Sequence, residues 1–347
     1  MTRLWLVRAG RNGERELDVI SQGRLMLGFS EVGDLKGLAT REAIQAFVKN
    51  AAPDASEGQA RNYSAQLNQF ANVMEIGDWV VLPRRLVSGI AIGRITGAYV
   101  FDPGGSYRHT RTIKWEKEAV PRQSFQQDLR YSFGAIMTVC EVKRNNALSR
   151  VEAVVRQGAD PGPLDGKQGK VIPKANADDI DAADAAIDIE YEANEQIVSL
   201  IKSRFAGHDL ATLVAQILEV EGYTTKVSPP GPDGGVDILA AGGRLGLGED
   251  RICVQVKSGD TPSNRDVVLK LMGSMAATKA KTGLLVSVAG VNGPAHKQLE
   301  DDFFGLRLWT MKELLQALYR TYRDLPLETR SKLPLRQVWA PTPEAEG

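Results

Sequence analysis

The stretch from Gly231 to Ser258 constrains this 347-residue chain more than any other. It reads GPDGGVDILA, then AGGRLGLGED, then RICVQVKS. A Gly-rich turn feeds a short apolar run, Val236 to Ala240. A second run, Arg251 to Ser258, alternates apolar and polar residues as a half-buried strand does. Side chains alternate across a strand, so Cys253, Gln255 and Lys257 share one face while Ile252, Val254 and Val256 share the other. Gln255 and Lys257 then stand about 7 Å apart on one side. Asp237 is expected to point away from Val236 and Ile238. If the two runs pair as a hairpin, Asp237, Gln255 and Lys257 converge on one spot.

That convergence has a chemical meaning. An Asp carboxylate and a Gln carbonyl are hard oxygen ligands suited to Mg²⁺, with Mn²⁺ able to substitute. An ammonium beside such a metal can orient or deprotonate a bound water and offset charge building on phosphorus. The segment resembles the core of the PD-(D/E)xK nucleases in the variant where Gln replaces the second acidic residue. More narrowly, it resembles the Mrr-like restriction endonucleases over residues 188 to 325. The matching residues are a helix from Leu210 to Glu221, Gly222-Tyr223, Asp233-Gly234-Gly235-Val236-Asp237 and Gln255-Val256-Lys257. The resemblance implies a Mg²⁺-dependent DNA endonuclease of the modification-dependent (type IV-like) restriction class. In it Asp237 and Gln255 would hold the metal and Lys257 would position the attacking water. The family also carries a Glu near the start of the helix, where this chain has Ala211; Asp209, Glu219 and Glu221 are the nearby carboxylates.

Composition excludes several other chemistries. The only histidines are His109, His208 and His296, and the two cysteines, Cys140 and Cys253, lie in separate apolar runs, so neither a His-rich metal site nor a disulfide framework is expected. No apolar run reaches membrane-spanning length and the first residues lack a signal-peptide core, so a cytoplasmic protein with no membrane partner is expected. Net charge is zero, but unevenly distributed. Residues 1–156 hold 22 Lys/Arg against 16 Asp/Glu (+6), residues 157–195 hold 3 against 10 (−7), and the remainder 18 against 17 (+1). The basic first part suits a phosphate-bearing partner.

The N-terminal part alternates short strands with early helices. Strand-like RLWLVRAG and RLMLGFSE precede a helix over Arg41–Asn50 capped by Thr40, and a second helix is expected over Gly58–Met74. Strands follow at Asp78–Pro83, Ser88–Val100, Tyr107–Trp115 and Ile136–Val142. This pattern points to an α+β domain built on a small closed or half-closed β-barrel. It resembles the PUA-like folds, the EVE-type domains in particular, through Gly77-Asp78-Trp79-Val80-Val81, Ile92-Gly93-Arg94-Ile95 with Gly97 and Tyr99, and His109-Thr110-Arg111 with Lys114-Trp115. Tyr107, His109, Arg111 and Trp115 fall on one strand face, and with Trp79 and Tyr99 they are candidates for reading a modified base. The competing reading makes the tryptophans core.

Four segments are therefore expected: a PUA-like domain over 1–156, an acidic interdomain linker over 157–187, an α/β restriction-endonuclease-like domain with a central mixed sheet over 188–325, and a fraying tail over 326–347. After Lys257 the pattern predicts helix Arg265–Thr278, strand Gly283–Val288, helix Pro294–Asp302, strand Leu306–Thr310 and helix Met311–Tyr322. Double-stranded DNA, with or without modified bases, is the expected partner, and a double-strand cut would favour a homodimer. Two other readings stay open: a catalytically inactive DNA-binding protein, and an RNA-directed protein.

Overall fold

Strand-forming runs in the first half gather into one curled sheet, with β1 (Leu4–Val7), β2 (Arg24–Leu27), β3 (Trp79–Pro83), β4 (Ile90–Ile95), β5 (Val100–Phe101), β6 (His109–Val120) and β7 (Val139–Glu141). The computed structural model describes residues 2–11, 13–87, 89–163, 188–229 and 235–339. It divides the chain into a first unit built on Met1–Glu192 and a second unit, Ala193–Trp339. Strand order in the first unit is β2-β6-β4-β3-β1-β7, with β5 also on β6. The sheet is thus a half-barrel, the half-closed form of the expected architecture.

Period-two alternation assigns its two faces. Trp5, Val7, Val80, Leu82 and Ile113 pack under α1 (Glu16–Gln22), α2 (Arg41–Ala51) and α3 (Glu57–Asn68). Leu4, Leu6, Trp79, Val81, Ile90 and Ile92 face α4 (Gln127–Phe133) and α5 (Ala147–Gln157). Thr40 caps α2 as expected, its side chain accepting from the Ala43 N–H. The helix expected over Gly58–Met74 is α3 followed by a π-helical turn, Gln69–Val73. That widened turn presents the carbonyls of Phe70 and Ala71 to the Arg111 guanidinium, with donor distances of 2.6 and 3.0 Å.

The acidic stretch differs from the interdomain linker expected over 157–187. Its central residues, 164–187, lie outside the described residues. Both described flanks are anchored in the first unit. Asp160 accepts from Arg150 at 2.6 Å and from the Gln126 and Gly162 N–H groups. Asp188 pairs with Arg8 and Arg85, Glu192 pairs with Arg122, and the Tyr191 ring lies beneath the Arg85 guanidinium at 4.1 Å. Few apolar residues made these flanks read as solvated spacer, but buried arginines hold them instead. The chain passes into the second unit within α6 (Ile189–Arg204).

In the second unit a five-stranded mixed sheet has the order β12-β11-β10-β9-β8. Its strands are β8 (Tyr223–Val227), β9 (Ile238–Gly242), β10 (Arg251–Lys257), β11 (Thr282–Ser287) and β12 (Leu306–Trp309). β8, β9 and β10 pair antiparallel, while β10, β11 and β12 run parallel. α7 (His208–Val220) and α10 (Met311–Thr321) cover the face bearing Ile238, Val254 and Val256. α8 (Arg265–Thr278) and α9 (Gly293–Asp301) cover the face bearing Leu239 and Cys253. The tail expected to fray from residue 326 begins instead with α11 (Leu327–Lys332), and Leu325 and Leu333 are buried in the α7/α10 core. Leu325 and Leu333, on either side of α11, dock this first part of the tail.

Candidate active site

The hairpin expected around Gly231–Ser258 forms, and its register decides the site. β9 and β10 pair from Arg251 opposite Ala241 to Val254 opposite Ile238. One step further, the Asp237 N–H donates to the Val254 carbonyl at 3.0 Å and the Asp237 carbonyl accepts from the Ser228 N–H at 2.8 Å. The Asp237 carboxylate then accepts from the Val256 N–H at 2.7 Å. The side chain is thereby fixed against β10 next to Gln255. Val236, expected to face the same way as Ile238, packs on the α8 side, because it lies ahead of β9 where strict alternation has not begun.

Gln255 lies on the central strand, opposite Leu285 of β11, and is only 3% exposed. Its carbonyl oxygen Oε1 is buried without a hydrogen-bond donor among the described residues. An orphaned acceptor of this kind costs about 1–3 kcal/mol unless something satisfies it. Gly235 (φ +88°) passes close over the amide, and a Cβ there would come within 3.2 Å of Gln255 Nε2. Lys257 ends β10 two residues beyond Gln255, half-buried, with its carbonyl accepting from the Val288 N–H. Directly after it, Ser258 accepts the Gly207 N–H at 3.2 Å, so this hydroxyl seats the start of α7. Asp233 and Gly234 of the sequence motif lie outside the described residues.

The carboxylates near the start and end of α7 do not complete a larger cluster. Ala211 is buried in the apolar core, and Asp209 is exposed in the first turn. Glu219 accepts from the Thr225 hydroxyl, and Glu221 pairs with Arg320 at 2.9 Å. Among the described residues no group of three or more His, Cys, Asp or Glu could hold a metal. One fixed carboxylate with one orphaned amide oxygen nevertheless fits an ion that keeps most of its ligands as water and phosphate, as Mg²⁺ does.

Residues 202–318 match a family model, Mrr_cat, described as restriction endonuclease. This part of the chain is a restriction endonuclease domain. Residues 5–142 match a model described as a domain of unknown function. No curated protein matches the chain. Similar solved structures include the DNA modification-dependent restriction endonuclease AspBHI, at 12% identity and TM-score 0.34, covering 80% of this chain and 72% of that one. The MspJI restriction endonuclease in complex with a 27-mer oligonucleotide is 16% identical with TM-score 0.32, covering 90% and 73%. A protein of unknown function, AF1548, is 16% identical with TM-score 0.26, covering 38% and 78%. The endonuclease domain keeps the mixed sheet and flanking helices that the sequence led us to expect.

Outside the endonuclease domain, the six base-reading candidates do not form one cluster. Trp79 faces the α4/α5 side of its sheet, opposite the others, and its indole N–H donates to Glu152 at 2.9 Å beneath the Arg94 guanidinium. His109 is fully buried with both ring nitrogens spent. Nε2 donates to the Val32 carbonyl at 3.1 Å, and Nδ1 accepts from the Tyr99 hydroxyl at 2.8 Å. Burial holds its pKa below the ordinary value, consistent with this neutral ring. Arg111 is buried too, bonded to three backbone carbonyls. These three are therefore structural. Trp115 is half-buried, but six residues of strand separate it from His109, about 20 Å, too far for a shared single-base pocket. Tyr99 and Tyr107 remain half-buried near the start of β6.

The helices and helix ends masked this outcome from the sequence. Strand periodicity gives the face of each residue, not which carbonyls a π-turn will offer it. Among the described residues no helix is long and apolar enough to cross a membrane.

Proposed function

We propose that the chain is a Mg²⁺-dependent DNA endonuclease, a modification-dependent restriction enzyme in which the first unit selects the DNA and the endonuclease domain cuts it. The observation that carries the reading is the orphaned Gln255 carbonyl oxygen beside the fixed Asp237 carboxylate. These two groups would hold the metal. When bound, it would supply Lewis acidity and an activated water at the phosphodiester. Asp237 is held against β10 by the Val256 N–H. Lys257, on the same strand face, would hold the attacking water and offset negative charge as it builds on phosphorus. DNA binding is supported by the basic first part, and selection of modified DNA by its sequence resemblance to EVE-type domains. A double-strand cut would call for two copies.

Incubating the protein with plasmids bearing and lacking modified bases, in Mg²⁺, Mn²⁺ or EDTA, tests the reading. Metal-dependent cleavage of modified plasmid is expected, lost in Asp237→Ala and Lys257→Ala. Cleavage of all plasmids alike would remove the modification requirement; full activity in either variant would remove the site. The buried Ala211, standing where the family carries a Glu, favours a second reading, a DNA-binding protein without nuclease turnover. Metal-independent binding without cleavage in any divalent ion would decide for it.

A further inference from the structure

The last rung of the ladder between β10 and β11 pairs Lys257 with Ser287, and the Lys257 carbonyl accepts the Val288 N–H at 3.0 Å. On its other edge β10 has already parted from β9, whose pairing stops at Val254. The end of β11 is therefore what fixes the end of β10. In-register partners on parallel strands point to one side of the sheet, so Ser287 and Lys257 share the face covered by α8 and α9. Ser287 is 1% exposed, and Ser263, in the loop leading from Lys257 to α8, is 5% exposed. Leu285, two residues back on β11, and Val291, bridged to Ser263, belong to the apolar cluster under those helices. The two hydroxyls bond each other at 2.8 Å. Ser287 gives its proton to the Gly290 carbonyl at 2.6 Å, so Ser263 is the donor within the pair. The Gly290 carbonyl also accepts the Ser263 N–H at 2.9 Å, and the Ser263 carbonyl accepts the Asn292 N–H at 3.0 Å. The loop that leaves Lys257 is thereby closed onto the loop that leaves β11. The contacts in between, from Ser258 to Gly207 and from Asp260 to Lys202, are exposed and fix little. Two alanines would fill these buried positions with no polar group to satisfy; what the hydroxyl pair adds is the junction between the loops.

We propose that Ser263 and Ser287 are positioning residues for Lys257, their junction holding the end of β10 where the lysine can serve the Asp237 and Gln255 site. This rests on the reading of Lys257 as the residue that holds the attacking water. A lysine ammonium sits on a flexible four-carbon stem, so its reach depends on where its backbone is fixed. Misplacing such a group by about 1 Å can cost about 10²-fold in rate.

The test compares the full chain as wild type, Ser263→Ala with Ser287→Ala, Lys257→Ala, and all three substitutions together. Melting temperature and duplex-DNA affinity are measured in EDTA, and cleavage with Mg²⁺. The surroundings of Lys257 are followed separately, without metal or DNA, by the NMR signal of its ¹³C-dimethylated amine, assigned by its loss in Lys257→Arg. Removing both hydroxyls strands neither, so the double alanine should melt and bind DNA much as wild type does. Its turnover should fall roughly 10–100-fold at unchanged KM. Added to Lys257→Ala, it should slow cleavage no further, because both changes act through one group. The Lys257 signal should move toward that of exposed lysines. An unmoved signal in the double alanine overturns the proposal, and so does an equal rate loss in the Lys257→Ala background. A joint loss of melting temperature and DNA affinity also overturns it, since the pair would then only hold the fold. A wild type that cuts no DNA in any divalent ion, with the signal still moving in the double alanine, would sink the nuclease reading and leave the positioning of Lys257 standing.

Discussion

At the residue scale, the proposed site turns on a neutral side chain, Gln255, with an orphaned oxygen. Gln255→Leu removes the orphaned oxygen at nearly constant volume, so its melting temperature in EDTA should match or exceed wild type while cleavage is lost. Gln255→Glu buries a second carboxylate beside Asp237; it should melt lower in EDTA and be rescued by millimolar Mg²⁺. Differential scanning fluorimetry with and without metal checks both. Asp237→Ala and Lys257→Ala should each lower the cleavage rate by a factor on the order of 10²–10³ with little change in stability. His109 gives a pH prediction. Its folded pKa lies below the unfolded value of 6.5, so the unfolded chain binds the extra proton as pH falls. The stability it contributes is complete above pH 6.5 and declines below it. Urea unfolding from pH 8 to 5 should show that slope, and His109→Gln should flatten it. The β9/β10 hairpin that sets Asp237 against the strand of Gln255 and Lys257 was legible because spacing on a strand fixes which side each residue takes. His109 and Arg111 misled because strand spacing says nothing about the Val32, Phe70 and Gly97 carbonyls waiting across the fold.

At the scale of elements, the second unit followed its hydrophobic period closely. Helix Arg265–Thr278 has the bounds expected, and β11, α9, β12 and α10 fall within one or two residues of theirs. β8 escaped notice because its exposed Thr224 and Lys226 on a sheet edge look like loop. α5 escaped because its N-cap, Asn146, takes the left-handed conformation and offers no side-chain cap to read. In the first unit β4 and β6 meet at an irregular register around Ile92 and Gly93. A Cβ at Gly93 would stand 2.7 Å from the Lys114 carbonyl oxygen and 2.9 Å from the Trp115 ring. Gly93→Ala should therefore cost about 1–3 kcal/mol by overpacking, read as a lower urea midpoint at unchanged slope. An unaltered midpoint would show that β6 yields freely there.

At the scale of the whole molecule, composition located the charge asymmetry but not what each charged stretch is attached to. The −7 stretch looked like a spacer because it has little to bury, yet Asp160 and Asp188 tie its described flanks to the same unit. A protease cut within residues 164–187 should thus leave two polypeptides that co-elute in native buffer. They should separate in urea, once the contacts of Asp188, Tyr191 and Glu192 with Arg8, Arg85 and Arg122 are lost. Separation on native gel filtration would count against the anchorage. Arg122→Ala with Arg85→Ala should let the nicked pieces part without denaturant. With Asp160 and Asp188 both fixed to the first unit, the stretch between them does not span from one unit to the other. The passage from the first unit to the endonuclease domain falls to α6 alone, a continuous helix whose first turn belongs to one unit and whose remaining turns belong to the other.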